Sequence, residues 1–498
     1  MLPEIIVIVF AILVLVADLL LDEQKRQTLG YIAAGGLLVA AAAMFAVGQS
    51  GSLFGGRFVV DTVTWWFKIL FLLSGAITIL LSIDLLDGRV GVRVRGIGFR
   101  GEYYAVLLFT ISGMMYLISA RDLITLYVSL ELATIPLFVL AAWRRDDVQS
   151  GEAGLKYVIV GAMASAFILY GLGILYGLAG TMDITMIPQS LKPSAALWFA
   201  MAMLLAGIGF KLTIVPFHMW AADVYQGAPT PVTAYLSVAS KGAGLAFMFQ
   251  IFFHITGAYL ADWTMILAVL AAITMTLGNL VAIVQQNIKR FMAFSAISQA
   301  GYLIMGFLGA APEGVPAMLF YMLVYMLTNL AVFACIIWYA NETGREQIND
   351  YRGLSRTNPL IALAMMLGLF SLAGIPPLSG FVGKFFLFSI ASRAGLHWLV
   401  AVAAVNSTIS LYYYLRVVRQ MYIEPVYENA KTLPITKMMA VTIFSLSIAV
   451  VLLGIIPSFY ENIHRDTNSW LKKASIAAPI KTRTTNTFKM VEPAATEL

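Results

Sequence analysis

The stretch GFKLTIVPFHMW, residues 209–220, follows directly on the apolar run ALWFAMAMLLAGI. Lys211, Pro216 and His218 fall within about two turns of what is otherwise a lipid-compatible helix. A proline deletes a backbone hydrogen bond, and a lysine in hydrocarbon must be desolvated. The segment makes sense only if it crosses a membrane inside a protein bundle and lines a polar site there.

The composition agrees. Of 498 residues, 60% are apolar and 12% charged, with a mean hydropathy of +0.85. A soluble domain carries about 25% charged residues, so the soluble classes are excluded and the chain reads as an all-α polytopic membrane protein. The formal charge of +6 is spread thinly among loops and gives no basic patch for nucleic acid. The lone Cys335 excludes a disulfide within the chain. The first segment, LPEIIVIVFAILVLVADLLL, has no basic n-region and no small-residue cleavage site, so it is expected to remain as a helix. No HExxH or Cys/His cluster suggests a metal, and no glycine-rich nucleotide loop after a strand is expected, because no convincing strand occurs.

A spanning helix needs about 20 mostly apolar residues. About fourteen such stretches occur, near 2–21, 28–48, 62–82, 103–119, 122–142, 154–178, 195–222, 228–255, 263–284, 290–310, 315–340, 359–391, 397–421 and 438–458. Residues 87–102 form a longer basic, glycine-rich loop in which a short hairpin is expected, and the last forty residues read as a polar, partly disordered tail. Numbering each loop by the helix before it, the odd loops hold 17 Lys and Arg and the even loops 4. Basic loops stay in the cytoplasm, which predicts both termini on the outside.

Five lysines and one glutamate stand out inside the predicted helices. Lys68 follows Asp61 by seven residues, so snorkelling or a local ion pair explains it. Glu131 and Lys156, on helices 5 and 6, are expected to lie close enough for opposite charges to interact. Lys211, Lys241 and Lys384 lie near mid-depth with no acidic neighbour in sequence. An intramembrane ionisable group of that kind points to function.

The prolines sharpen the case. Helix 7 carries Pro216 beside Lys211, and helix 12 carries LAGIPPLSGFVGKFF, with Pro376 and Pro377 ahead of Lys384. Both helices are expected to be broken, and interrupted helices in matching positions mark ion sites in transporters. Helices 7 and 12 are five apart, so helices 4–8 and 9–13 read as two five-helix repeats, the second inverted. The expected division is therefore 1–102 (helices 1–3 and the basic loop), 103–255 and 263–421 (the repeats), and 438–498 (helix 14 and the tail). A buried lysine, its pKa pulled down by desolvation and up by a nearby carboxylate, can take and release a proton. Water entering at a break can link such sites, and His218 could pass protons to Lys211.

Four runs carry a resemblance: SLELATIPLFVLAAW (129–143), EAGLKYVIVGAMASAFILYGLGILYGLAGT (152–181), GFKLTIVPFHMWAADVYQGAPTPVTAYLSVASKGAG (209–244) and NIKRFMAFSAISQAGY (287–302). Together they resemble the antiporter-like membrane subunits of respiratory complex I over roughly residues 60 to 425. The resemblance implies that Glu131, Lys156, Lys211, Lys241 and Lys384, which match the family's charged positions, carry proton translocation. It implies no redox centre in this chain, with NADH, FMN, iron–sulfur clusters and quinone held by other subunits. The implied partners are a neighbouring antiporter-like subunit M and subunits K, J and A, in a bacterial inner membrane crossed many times. One position departs from the pattern: the family often has histidine where this chain has Gln299, which cannot titrate. The alternatives are a large subunit of a multisubunit cation/proton antiporter and a passive assembly scaffold.

Overall fold

The structure, a computed structural model, describes residues 1–87, 99–310, 314–427, 431–456 and 458–477. Among them, 13 helices are long and apolar enough to cross a membrane. They include helix 1 (Leu2–Leu20), helix 2 (Thr28–Val47), helix 3 (Thr62–Asp87), helix 4 (Arg100–Ser119) and helix 6 (Val148–Ala179). Helix 8 (Thr230–Ile255) is followed by helix 9 (Leu260–Val284), helix 10 (Ile288–Ile304) and helix 11 (Gly314–Thr343). Helix 13 (His397–Tyr422) and helix 14 (Lys437–Ile455) close the set. The fourteenth crossing is helix 12, made of two shorter pieces, Pro359–Ala373 and Ser379–Arg393.

Helices 8, 10 and 11 are almost wholly enclosed, whereas helices 1, 2, 6, 9, 13 and 14 bury less than half of their apolar windows. Large apolar side chains such as Leu155, Tyr170, Val405 and Val441 cover the outward faces. That is the inversion expected when lipid, rather than water, surrounds the bundle. Polar side chains close the backbone at helix starts: Asp122 accepts from Thr125 N at 2.8 Å and Asn287 from Lys289 N at 2.9 Å.

Helix 7 is interrupted where expected, between Ala195–Leu212 and Met219–Gly227. Thr213 adopts the left-handed conformation, φ 60°, and the Val215–Pro216 bond is cis. Helix 12 stops at Gly374, φ 89°, and resumes after a cis Pro376–Pro377 bond. Close packing holds the second break. A Cβ at Gly380 would lie 1.8 Å from Ser371 O, so only glycine admits that approach.

Four expectations need correction or limits. Helix 5, read as one span over 122–142, is also in two pieces, Leu123–Leu132 and Ile135–Ala141, because Pro136 starts the second. Two short strands, β1 (Gly51–Leu53) and β2 (Phe58–Val60), pair antiparallel in the loop after helix 2, with Ser52 opposite Val59. Gly55 and Gly56 supply the positive φ angles of their turn. The tail forms helix 15 over Ser458–Ala477 where an irregular segment was expected. Its Tyr460 stacks on Phe386 of helix 12 at 3.4 Å between ring centroids. The hairpin expected within 87–102 falls largely outside the described residues.

Candidate functional site

The two helix breaks answer the question posed by Lys211 and Pro216. The last four carbonyls of any helix have no partner within it, and that end carries partial negative charge. Ending a helix mid-membrane therefore creates acceptors suited to an ammonium group. Lys241 of helix 8 donates to Leu212 O at 3.2 Å and to Thr213 Oγ1 at 2.5 Å, both at the end of the first piece of helix 7. Lys384 repeats the arrangement, donating to Leu372 O at 2.9 Å and Ala373 O at 3.1 Å at the end of the first piece of helix 12. Ser407 of helix 13 accepts from Lys384 at 3.2 Å and donates to Ala373 O at 2.8 Å. The Tyr302 ring lies 4.5 Å beneath the Lys384 ammonium.

Lys211 occupies the last turn of the first piece of helix 7 and donates to Thr134 Oγ1, at the break in helix 5. Glu131 precedes that break by one turn and is the carboxylate in electrostatic reach of Lys211. One of its oxygens, Oε1, is buried without a hydrogen-bond partner. All three lysines are at least 97% buried, and none forms an ion pair within 4 Å among the described residues.

The expected closeness of Glu131 and Lys156 is not found. Gly154 packs on Ala142 and Gly161 on Phe138, which sets Lys156 level with the end of helix 5. Ala142 is eleven residues after Glu131, on the far side of the break in helix 5. Lys156 instead pairs with Glu152 at 2.7 Å and Asp223 at 2.6 Å, and its side chain is 42% exposed. Asp223 also takes Arg290 at 2.5 Å, joining helices 6, 7 and 10. His218 stands at the N-cap position of the second piece of helix 7 without a side-chain capping bond, and its Nδ1 is buried without a partner. No hydrogen bond joins it to Lys211 among the described residues.

Lys68 is also differently placed. Its partner is Glu4 of helix 1, at 2.6 Å, and both side chains are fully buried. Asp61 pairs with Arg121 at 3.0 Å instead. Burial alone would push the Asp61 carboxyl up, but Arg121 and hydrogen bonds from Thr64 outweigh it and hold Asp61 below the usual carboxylate range.

Gln299 belongs to the Lys384 site. It donates to Leu372 O at 3.1 Å, the carbonyl that Lys384 also uses, and accepts from Tyr321. Helix 11 then runs toward Lys241 with Tyr321, Tyr325, Thr328 and Asn329 at helical spacing. Tyr325 donates to Ser237 O at 2.9 Å and Asn329 to Ser237 Oγ at 2.5 Å, one turn before Lys241. Thr328 lies 3.1 Å from Ser371, whose hydroxyl accepts from Gly380 N. A hydroxyl-lined face of helix 11 thus connects the surroundings of the two lysines. Sequence reasoning missed it, although YMLVYMLTN (321–329) shows the spacing. No group of three or more His, Cys, Asp or Glu could hold a metal among the described residues.

Residues 120–410, the segment that contains the three broken helices together with Lys156, Lys211, Lys241 and Lys384, match the family described as NADH:quinone oxidoreductase/Mrp antiporter, TM. The chain belongs to that family. It is 41% identical over 463 residues to the NADH-quinone oxidoreductase subunit N of Moorella thermoacetica, covering 92% of this chain and 96% of that one. It is 39% identical to the NAD(P)H-quinone oxidoreductase subunit 2 of a Nostoc species, covering 85% and 82%. Among solved structures, a chain of respiratory complex I from Thermus thermophilus superposes with a TM-score of 0.77 at 32% identity, covering 92% and 97%. A chain of the Mrp complex from a Dietzia species reaches 0.82 at 23% identity, which shows the shared fold.

Proposed function

We propose that this chain is the antiporter-like, proton-translocating subunit N of a respiratory NADH–quinone oxidoreductase in a bacterial inner membrane. Glu131, Lys211, Lys241 and Lys384 carry the protons, and Lys156 and His218 serve the approach from the side of the basic loops. The observation that carries this is the seating of three buried lysines at the breaks of helices 5, 7 and 12 with no carboxylate bound to any of them. Such an ammonium is hydrogen-bonded only to neutral groups, so a modest electrostatic change shifts its proton affinity. The relatives at 39–41% identity, all subunits of quinone oxidoreductases, favour this over the stand-alone cation/proton antiporter.

In this mechanism the chain performs no redox step. Electron transfer from NADH through flavin and iron–sulfur clusters to quinone belongs to other subunits, which alter the charge near Glu131. When Glu131 is drawn toward Lys211, the ammonium is stabilised. When it is drawn away, Lys211 gives its proton toward Lys241. From Lys241 the proton follows the hydroxyl face of helix 11 to Gln299 and Lys384. Gln299 titrates at no accessible pH, so it contributes by orienting the Leu372 carbonyl and water rather than by holding the proton. We assign subunits M, K, J and A as partners within the bilayer. We also retain 103–255 and 263–421 as inverted repeats, because helices 7 and 12, five helices apart, each stop mid-span at a left-handed residue and resume as a second piece.

The test is Lys211→Met in the assembled complex, with quinone reduction and proton pumping measured together. The expected result is an assembled complex whose pumping is lost. Intact pumping in a fully assembled variant refutes the relay and leaves a scaffold.

A further inference from the structure

At the end of the bundle where the basic loops gather lies a cavity of about 250 Å³ between helix 11, the loop 344–358 and the segment after helix 13. By the roughly 30 Å³ that each liquid water occupies, it has room for several small polar groups. Arg345, Arg352 and Lys431 line it, together with the rings of Tyr339 and Tyr427. Asp350 is the lining acid, and its carboxylate is engaged by Gln347 N at 3.0 Å. Arg352 has its Nε buried with no hydrogen-bond partner, and its guanidinium rests 5.4 Å from the Tyr427 ring. A buried guanidinium N–H without an acceptor is an unfinished contact.

The walls are fixed before any ligand arrives. Asn358 Nδ2 donates to Leu433 O at 2.9 Å while Leu433 N donates to Asn358 Oδ1 at 3.1 Å. Tyr339 donates to Asp350 O at 2.5 Å and stacks on Tyr351, and Tyr427 donates to Asn349 O at 3.2 Å. Leu360, three residues after the lining Thr357, and Ile423, just past the end of helix 13 and four residues before the lining Tyr427, expose 61% and 70% of their surface. Among the described residues, three cations, one engaged acid and an apolar flank are the chemistry that receives a phosphate attached to acyl chains. Guanidinium groups bind phosphate through paired donors, and basic pockets at the ends of membrane helices hold anionic headgroups.

The structure assigns this cavity as a binding site for the phosphate headgroup of an anionic phospholipid, with Arg352 as its central donor. The site is separate from the lysine relay and does not depend on it. The test uses the full chain, purified in detergent, with its thermal unfolding followed on adding phosphatidylglycerol, phosphatidylcholine or inorganic phosphate. Stabilisation by phosphatidylglycerol, little by phosphatidylcholine and none by inorganic phosphate supports a lipid headgroup. Equal stabilisation by inorganic phosphate overturns the lipid assignment in favour of a free anion. Arg352→Gln and Arg345→Gln should each weaken apparent phosphatidylglycerol affinity about fivefold, the factor equivalent to about 1 kcal/mol per basic residue. Arg345 is on the exposed rim, so its variant keeps the test valid if Arg352→Gln folds poorly. Unchanged affinity in a folded variant of either residue, or no response to phosphatidylglycerol, refutes the site.

Discussion

Each buried lysine is tolerated because its surroundings were made by breaking something else. Lys384 takes two carbonyls that helix 12 released at Gly374, and its three ammonium hydrogens are matched by Leu372, Ala373 and Ser407. Arginine at this position keeps the charge but stays protonated at any accessible pH. Lys384→Arg and Lys384→Ala are both expected to lose coupled proton pumping; near-normal pumping in the arginine variant would show that charge alone suffices. At Glu131 the partner is now Lys211, through the Thr134 break, so Glu131→Ala should impair coupled turnover more than Glu131→Asp. Equal, near-normal turnover in both assembled variants would reduce Glu131 to a structural role. Lys211, Lys241 and Lys384 could be found from sequence because isolated cations in apolar runs stand out. Their partners could not, since backbone carbonyls of a broken helix leave no mark on composition.

Among the elements, the prolines of helices 7 and 12 announced their breaks, and Pro136 could have announced the one in helix 5. The flanking residues LATIPLF are apolar enough to pass as one continuous span. The small strands after helix 2 escaped notice because three residues on each side are too few to establish alternation. Glycine carries the second break. Gly380→Ala forces a methyl against Ser371 O, an overpacking that costs about 1–3 kcal/mol or more, and should lower the unfolding temperature of the complex. A Gly380→Ala variant that melts with the parent would show that the contact at Ser371 can relax freely.

For the molecule as a whole, hydropathy alone located nearly every crossing, because backbone groups in lipid must be satisfied within helices. Which helices lie inside was less legible, since helices 1 and 11 are similarly apolar but oppositely exposed. Orientation follows from the distribution of Lys and Arg. A reporter fused after Asp146, in the basic loop between helices 5 and 6, should read as cytoplasmic. An external signal there would reverse the direction of the proton route, leaving the lysine seats themselves untouched.

Helix 6 has 32 residues, which at about 1.5 Å each give roughly 48 Å. The hydrocarbon core of a bilayer is only about 30 Å thick. Tilting alone would have to be extreme, so part of this helix projects beyond the acyl chains. Lys156 is the ninth residue from its start, about 12 Å along the axis, within the stretch that the mismatch displaces into the headgroup layer. Its bonds to Glu152 and Asp223 therefore form in a hydrated, ion-accessible zone, where the Debye length at physiological salt is about 8 Å. Raising ionic strength weakens those bonds while leaving the enclosed seats of Lys241 and Lys384 unchanged. On the proposed route, protons would thus enter at a salt-sensitive surface and continue through an interior that salt does not reach.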